Sequence, residues 1–117
     1  MAELAMNLVQ AEGAPVVSLS GELDTYHAPR LREQLETLVQ PGSATVIVDL
    51  LRVTYIDSTG LGILVAARKR ADSHGGALRL VVQKEGAVHR TLTITGLLSV
   101  FSIFPDQETA QTGSALP

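Results

Sequence analysis

The sequence contains no cysteine and no tryptophan, and aromatic residues make up only 3% of its 117 residues. The lack of cysteine excludes disulfide frameworks, thiol catalysis and cysteine-ligated zinc, and it is typical of proteins from a reducing compartment. Hydrophobic residues still account for 45% of the chain. A single domain of this length can therefore bury a core without a disulfide or a metal, and that core must be aliphatic.

An excess of positive charge and a long apolar run are lacking as well. Nine basic residues stand against twelve acidic ones, for a formal net charge of −3, and this balance disfavours binding to the phosphates of nucleic acids. The longest apolar run, residues 61–67, is far shorter than the roughly 20 residues of a membrane-spanning helix. Residues 1–10 lack the basic stretch of a signal peptide. We therefore expect a cytoplasmic protein without direct nucleic-acid contact or membrane insertion.

Two hydrophobic periodicities alternate along the chain. Five short runs have the composition of strands, at residues 4–9, 14–20, 45–51, 77–82 and 102–104. The first two are expected to pair as a hairpin across residues 11–13. Helical spacing predicts helices at residues 28–39, 58–73 and 85–95, each ended by a nearby glycine, and Asp106 as the cap of a last one.

This order of elements predicts an α/β domain. We expect a mainly parallel, mixed sheet of four to five strands, packed by three to four helices, over residues 1–110. Residues 111–117 have the composition of a disordered tail. In such sheets, ligands and partners meet the loops beyond the carboxyl ends of the strands. Two loops there lead into helices, at residues 21–24 and 55–60, and they lie side by side if their strands are neighbours.

The second of these loops contains the turn Asp57-Ser58-Thr59-Gly60-Leu61-Gly62. One interpretation is structural, because Asp57 or Ser58 is a suitable N-cap for the following helix. The capping box is missing, however, because Leu61 and Gly62 stand where Glu or Gln would close it. Two glycines in the first turn cost about 1 kcal/mol each relative to alanine. They indicate a surface that another protein approaches closely.

A hydroxyl at a helix amino terminus is also a place where a phosphate is tolerated, because free amides and the helix dipole favour an anion there. Phosphorylation of Ser58 would add about −1.5 to −2 charges beside Asp57. The fold would accept this charge, whereas a docked partner would be repelled.

Residues 46–50 (VIVDL) and 53–62 (VTYIDSTGLG) closely resemble the signature of the anti-sigma-factor antagonists of the STAS domain family. Residues 20–24 (SGELD) resemble that family's first loop. Gly75-Gly76 and Thr95-Gly96-Leu97, followed by Phe101, also fit, so that the resemblance covers nearly the whole chain. Leu51-Arg52 departs from the small turn pair of many relatives, which leaves the site intact but affects expected partner contacts.

The resemblance implies a regulator of transcription that works by partner switching. In this family, the unmodified antagonist binds a serine-kinase anti-sigma factor, an ATPase of the GHKL fold, and so releases a sigma factor. The kinase phosphorylates the hydroxyl residue after the motif's aspartate, here Ser58 with Thr59 as second choice, and a serine phosphatase reverses this. The implied partner-binding residues are Asp24, Asp57, Ser58, Thr59, Gly60, Leu61 and Gly62. For Asp24, an N-cap or plain loop carboxylate is an equal alternative.

Other functions remain as alternatives. Within the fold, the chain could be a docking subunit of a transport or stress-signalling complex. From another class, it could be a small nucleotide-binding protein, since Gly60-Leu61-Gly62 begins like a dinucleotide fingerprint, although Val65 replaces the third glycine. A phosphoaspartate receiver is rejected, because an acidic pair and a late lysine are missing.

No enzymatic activity, cofactor or metal is expected. Three histidines are candidate bases for Ser58 and three aspartates candidate metal ligands, but none stands in a motif. They are His27, His74 and His89, and Asp24, Asp49 and Asp57. His27 opens a helix near Asp24 and is expected to border the site.

Overall fold

A computed structural model describes residues 3–10 and 13–113. Strands and helices alternate as the periodicities predict, and all five expected strands are present. The strands are β1 (Leu4–Val9), β2 (Val16–Leu23), β3 (Val46–Ile56), β4 (Leu78–Val81) and β5 (Ser102–Phe104). The helices are α1 (Ala28–Leu38), α2 (Ser58–Ser73), α3 (Ala87–Ile94) and α4 (Gln107–Thr112), with one 3-10 turn at Leu98–Val100.

The strands form one mixed sheet in the order β1-β2-β3-β4-β5. β1 pairs antiparallel with β2, and every later pairing is parallel. The parallel pairs are joined by helical crossovers, as parallel strands require. The mainly parallel sheet is confirmed, and so is the pairing of β1 with β2. Residues 11 and 12 of the expected hairpin turn lie outside the described residues.

The aliphatic core lies mainly on one face of the sheet. Alternate residues of β3 divide between the faces, as a period of two requires: Val46 and Val48 contact the cluster that includes α1, α2 and α3, whereas Ile47 contacts α4. The stripe predicted for α1 is buried, at Ala28, Leu31, Leu35 and Leu38. The sheet is thus a platform, and its carboxyl edge positions α2.

β3 is longer than expected and runs through Leu51 and Arg52 to Ile56. Its register against β2 shifts at two places, between Ser18 and Ser20 and between Gly21 and Glu22. Asp49 lies at the first shift, where one carboxylate oxygen accepts a hydrogen bond from the Leu51 amide at 2.9 Å. The departure from the family pattern at Leu51-Arg52 therefore lies inside a bulged strand rather than a turn.

The carboxyl end of the described chain differs from the prediction. Gln111 belongs to α4, and its side chain pairs with the backbone of Ala14, accepting from N at 2.9 Å and donating to O at 2.8 Å. The tail expected from residue 111 therefore does not begin there, and residues 114–117 lie outside the described part. Asp106 caps α4 as predicted and accepts from the Thr109 amide at 2.8 Å. Among the described residues, no helix combines the length and apolar character that crossing a bilayer requires.

Candidate functional site

The two loops singled out in the sequence meet at the carboxyl edge of the sheet. β2 and β3 are parallel neighbours, and their last residues, Leu23 and Ile56, pair with each other. The chain leaves both strands at the same edge. The Thr25 amide then donates a hydrogen bond to Asp57 Oδ2 at 2.9 Å. The expectation that these loops lie side by side is confirmed.

Asp57 joins the loop after β2 to the loop after β3. It is the N-cap of α2, and its Oδ1 accepts from the Thr59 amide at 3.0 Å and the Gly60 amide at 3.2 Å. Oδ2 accepts from both the amide and the hydroxyl of Thr25, at 2.9 and 3.1 Å. The carboxylate therefore satisfies two amides of the first helical turn and holds the β2–α1 loop against them.

Ser58 and Thr59 differ in what surrounds their hydroxyls. The Thr59 side chain is half-buried, and its Oγ1 lies 3.0 Å from Thr25 Oγ1. Ser58 is exposed, and within residues 3–10 and 13–113 no group is hydrogen bonded to its hydroxyl. Ser58 therefore carries the more accessible hydroxyl of the pair.

The two glycines of the first turn serve different purposes. Gly60 is buried, and a Cβ added there would lie 2.9 Å from the Leu23 carbonyl and 3.0 Å from Ile56. Its presence is explained by the packing of α2 on the sheet, which the sequence did not reveal. Gly62 is exposed, and an added Cβ would meet nothing within 4 Å. Close approach by a partner stays a prediction for Gly62.

Asp24 closes the turn before α1. Its Oδ1 accepts from the His27 amide at 2.9 Å and lies 2.8 Å from His27 Nδ1. The bond from the His27 amide is the largest cause that holds the pKa of Asp24 below its usual value, and burial opposes it. His27 therefore borders the site as expected, with its Nδ1 directed to Asp24 and not to Ser58.

Shallow grooves flank the exposed side of α2. One, of about 360 Å³, lies between α1 and α2 and is lined by Ser58, Gly62, Arg32 and Arg70. The other, of about 470 Å³, lies on the opposite side of α2, and Ser58 and Gly62 line it too. The small residues between the grooves let another surface approach the α2 backbone, and Ser58 lies at the amino-terminal end of this surface.

Comparison with known proteins reveals the family. The protein-family model described as STAS domain matches residues 5–110 of the chain. The chain belongs to the STAS domain family. The match includes all of β1 but its first residue, all of the other strands and four of the six residues of α4, so that the resemblance noted from the signature extends through nearly the whole described fold.

Relatives of this STAS domain include proteins named as antagonists of anti-sigma factors. The chain is 38% identical over 103 residues to the anti-sigma-B factor antagonist of Bacillus subtilis (strain 168), covering 88% of this chain and 93% of that protein. It is 28% identical over 110 residues to the anti-sigma F factor antagonist of Paenibacillus polymyxa, covering 93% of each. The crystal structure of an anti-sigma factor antagonist from Mycobacterium paratuberculosis superposes with a TM-score of 0.83 at 29% identity, covering 95% of this chain and 93% of that one.

The other candidate sites of this STAS domain do not assemble. Among the described residues, no three or more His, Asp or Glu side chains form a group that could hold a metal. The Asp49 carboxylate has a structural role, because it accepts hydrogen bonds from the Leu51 amide and from Gln107 Nε2, the latter at 2.6 Å. The glycine pattern at Gly60 and Gly62 lies beside the two grooves that Ser58 also lines.

Thr25 is the residue of this site that the sequence did not single out. The sequence pattern gives little indication of a role for Thr25, because a threonine after Asp24 is an ordinary loop residue. Its importance follows from contacts across 32 and 34 residues of chain, to Asp57 and Thr59. Only the pairing of β2 with β3 brings them together.

Proposed function

We propose that this STAS domain is an anti-sigma-factor antagonist that binds a serine-kinase anti-sigma factor through α2, and that phosphorylation of Ser58 ends the binding. The names of its relatives in Bacillus and Paenibacillus support the general role. The switch at Ser58 rests on the chemistry of this chain's own site.

The observation that carries the proposal is the contrast between Ser58 and its neighbours. The side chains of Asp57 and Thr59 are tied to Thr25, whereas the Ser58 hydroxyl is exposed and unbonded within the described residues. A kinase can therefore reach Ser58 without breaking any hydrogen bond of the domain. Phosphorylation of Thr59 would first require its hydrogen bond with Thr25 to break.

A phosphate on Ser58 would leave the fold intact and change the surface. The amides at the start of α2 and the helix dipole favour an anion. The same phosphate would place about −1.5 to −2 charges between the two grooves, where a partner docks. Desolvation and repulsion of about 3 kcal/mol would suffice to weaken that partner's binding more than a hundredfold.

The proposed role is regulatory rather than catalytic. Ser58 has no histidine bonded to it in the described residues, and His27 Nδ1 is directed to Asp24. In the proposed cycle, the anti-sigma factor supplies the ATPase and kinase, and a serine phosphatase restores the free hydroxyl. Both act on this domain in the cytoplasm.

The test is capture from the native host lysate with the wild-type chain, Ser58→Ala and Ser58→Glu in parallel. We expect wild type and Ser58→Ala to retain a kinase of the GHKL fold that Ser58→Glu loses. Addition of ATP to the captured complex should then phosphorylate the wild-type chain at Ser58, as mapped by mass spectrometry. Thr59→Val, which keeps Ser58, is the matched control and should be phosphorylated as wild type is.

Two results would contradict the proposal. Full phosphorylation of Ser58→Ala by the captured kinase would remove Ser58 from the role. Capture of the same transporter subunits by all three proteins would indicate a docking subunit without a phosphorylation switch.

A further inference from the structure

The outer edge of β1 carries backbone groups that pair with no strand in the described part of the chain. β1 is the first strand of the sheet and pairs only with β2 there. The Glu22 amide donates to the Glu3 carbonyl at 3.3 Å, so that the backbone of Glu3 faces β2. Because this direction alternates in antiparallel pairs, the N–H and C=O groups of Leu4, Met6 and Leu8 face outward.

This edge lacks the features that usually prevent strands from pairing. β1 has the sequence LAMNLV, without charge, proline or glycine, and its register with β2 is regular over all six residues. Leu8 and Val9 are 36% and 46% exposed. Such an edge is a template for another strand. Arg30 Nη1 donates to the Leu4 carbonyl at 2.8 Å, but a carbonyl oxygen has a second lone pair for a strand partner.

The helix beside the edge is compatible with a partner that resembles the chain itself. A shallow groove of about 310 Å³ lies along α1 and is lined by Met6 and by Arg30, Glu33, Gln34 and Thr37. The four α1 residues are spaced as one helical face. Their two charges have opposite signs, so this face has no net charge to repel a second copy.

We propose that β1 pairs antiparallel with β1 of a second copy, centred on Met6, to form a two-fold symmetric dimer with one continuous sheet. In this register Met6 lies opposite Met6 of the second copy, and Leu4 lies opposite its Leu8. Every outward N–H and C=O of these three residues then gains a partner, and apolar side chains meet apolar side chains. The interface is isologous and closes after two copies. It does not involve Ser58 and is independent of the proposed switch.

The absence of cysteine gives a direct test of this register. In the dimer, residues 6 of the two copies form a hydrogen-bonded pair with Cα atoms about 5.5 Å apart, within the range that a disulfide spans. Residues 8 of the two copies are displaced by four positions, about 13 Å. Under mild oxidation, we expect Met6→Cys to form a covalent dimer and the matched variant Leu8→Cys to stay monomeric. No cross-linking of Met6→Cys, or equally fast cross-linking of both variants, would overturn the proposal.

Sedimentation equilibrium without any cross-link gives a second measurement. The wild-type chain should form dimers as its concentration rises, and Leu8→Pro should abolish them, because it removes an outward N–H but none that β2 uses. Asn7→Thr leaves β1 uncharged and keeps every outward N–H, so this control should still dimerise. A wild-type chain that stays monomeric at every concentration would refute the dimer. Thermal unfolding verifies that each variant folds, and if Leu8→Pro does not, the wild-type result and the cysteine pair still decide.

Discussion

The hydroxyl oxygens of Thr25 and Thr59 lie 3.0 Å apart, although 34 positions separate them in the chain. Thr25 Oγ1 also donates to Asp57 Oδ2 at 3.1 Å, and a carboxylate can only accept. Because Thr25 has a single hydroxyl proton, its bond with Thr59 must use the proton of Thr59. The Thr59 hydroxyl is therefore turned into the domain, whereas that of Ser58 is turned toward solvent.

Replacement of Thr25 by valine should loosen the loop between β2 and α1. Thr25→Val keeps the shape of the side chain and the backbone bond to Asp57, but it removes the hydroxyl shared by Asp57 and Thr59. We expect the free energy of unfolding to fall by about 1 kcal/mol, measured by urea denaturation. Thr25→Ser keeps the hydroxyl and should stay close to wild type. Equal stability of all three proteins would show that the shared hydroxyl does not matter.

The glycines of α2 should respond in opposite directions to alanine. Gly60→Ala should destabilise the domain by about 1–3 kcal/mol, because the new Cβ would lie 2.9 Å from the Leu23 carbonyl. Gly62→Ala should stabilise it by about 1 kcal/mol, since the methyl group meets nothing and alanine favours the helix. Chemical denaturation of the two variants measures both effects. A loss of stability in Gly62→Ala would contradict the open surface described beside Ser58.

Gly62→Ala also tests the docking surface. If a partner approaches the α2 backbone, this more stable variant should bind the captured anti-sigma factor more weakly than wild type, as measured by titration calorimetry. Ser73→Ala, a change of similar size at the exposed carboxyl end of α2 that lines neither groove, is the control. Unchanged affinity of Gly62→Ala would move the interface away from this part of the helix.

The pH dependence of stability should report the turn at Asp24. The pKa of Asp24 is lowered from 3.8, mainly by the hydrogen bond from the His27 amide. A carboxyl whose pKa is lower in the folded state stabilises the domain above its ordinary pKa, and this stabilisation is lost as the pH falls through the folded value. Asp24→Asn keeps an oxygen for the His27 amide but no charge. We expect wild type to be more stable than Asp24→Asn at neutral pH and to lose this advantage in acid.

Urea denaturation of both proteins between neutral and strongly acidic pH measures this difference. A constant gap across the whole range would mean that the charge of Asp24 is not what stabilises the turn. A carbon-detected NMR titration of the Asp24 carboxyl group would locate its pKa directly.

The sequence predicted what depends on neighbours along the chain. The strand at residues 102–104, the buried stripe of α1 and the cap at Asp106 were readable because periodicity and capping are local. The turn at Asp57 was readable for the same reason. The link from Thr25 to Asp57 was not, since it depends on the register of β2 against β3.

Gly60 and Gln111 are two more residues whose long-range contacts could not be predicted from the local sequence. The pattern of two glycines indicated an approaching partner, but the close contact at Gly60 comes from Leu23, which lies far away in the chain. Gln111 has the polar surroundings of a tail, yet it pairs with Ala14, 97 positions away. In both cases a long-range contact outweighs the local composition.

The bond between Gln107 and Asp49 should fasten α4 to the sheet. Asp49 is only 9% exposed, and its Oδ2 accepts from Gln107 Nε2 at 2.6 Å, so that removal of the amide leaves this oxygen without a donor. Ala110 is the buried residue of α4, and this helix has little other apolar contact with the domain.

We expect Gln107→Met, which keeps the length of the side chain, to lower the free energy of unfolding by about 1.5–3 kcal/mol. Hydrogen exchange should show faster opening of residues 107–112, whereas Glu108→Met on the exposed side, which loses only a charge in the first turn of α4, should have a clearly smaller effect on both quantities. Unchanged exchange in Gln107→Met would mean that Gln111 and Arg79, which bond the same helix to Ala14 and β4, hold it without Asp49.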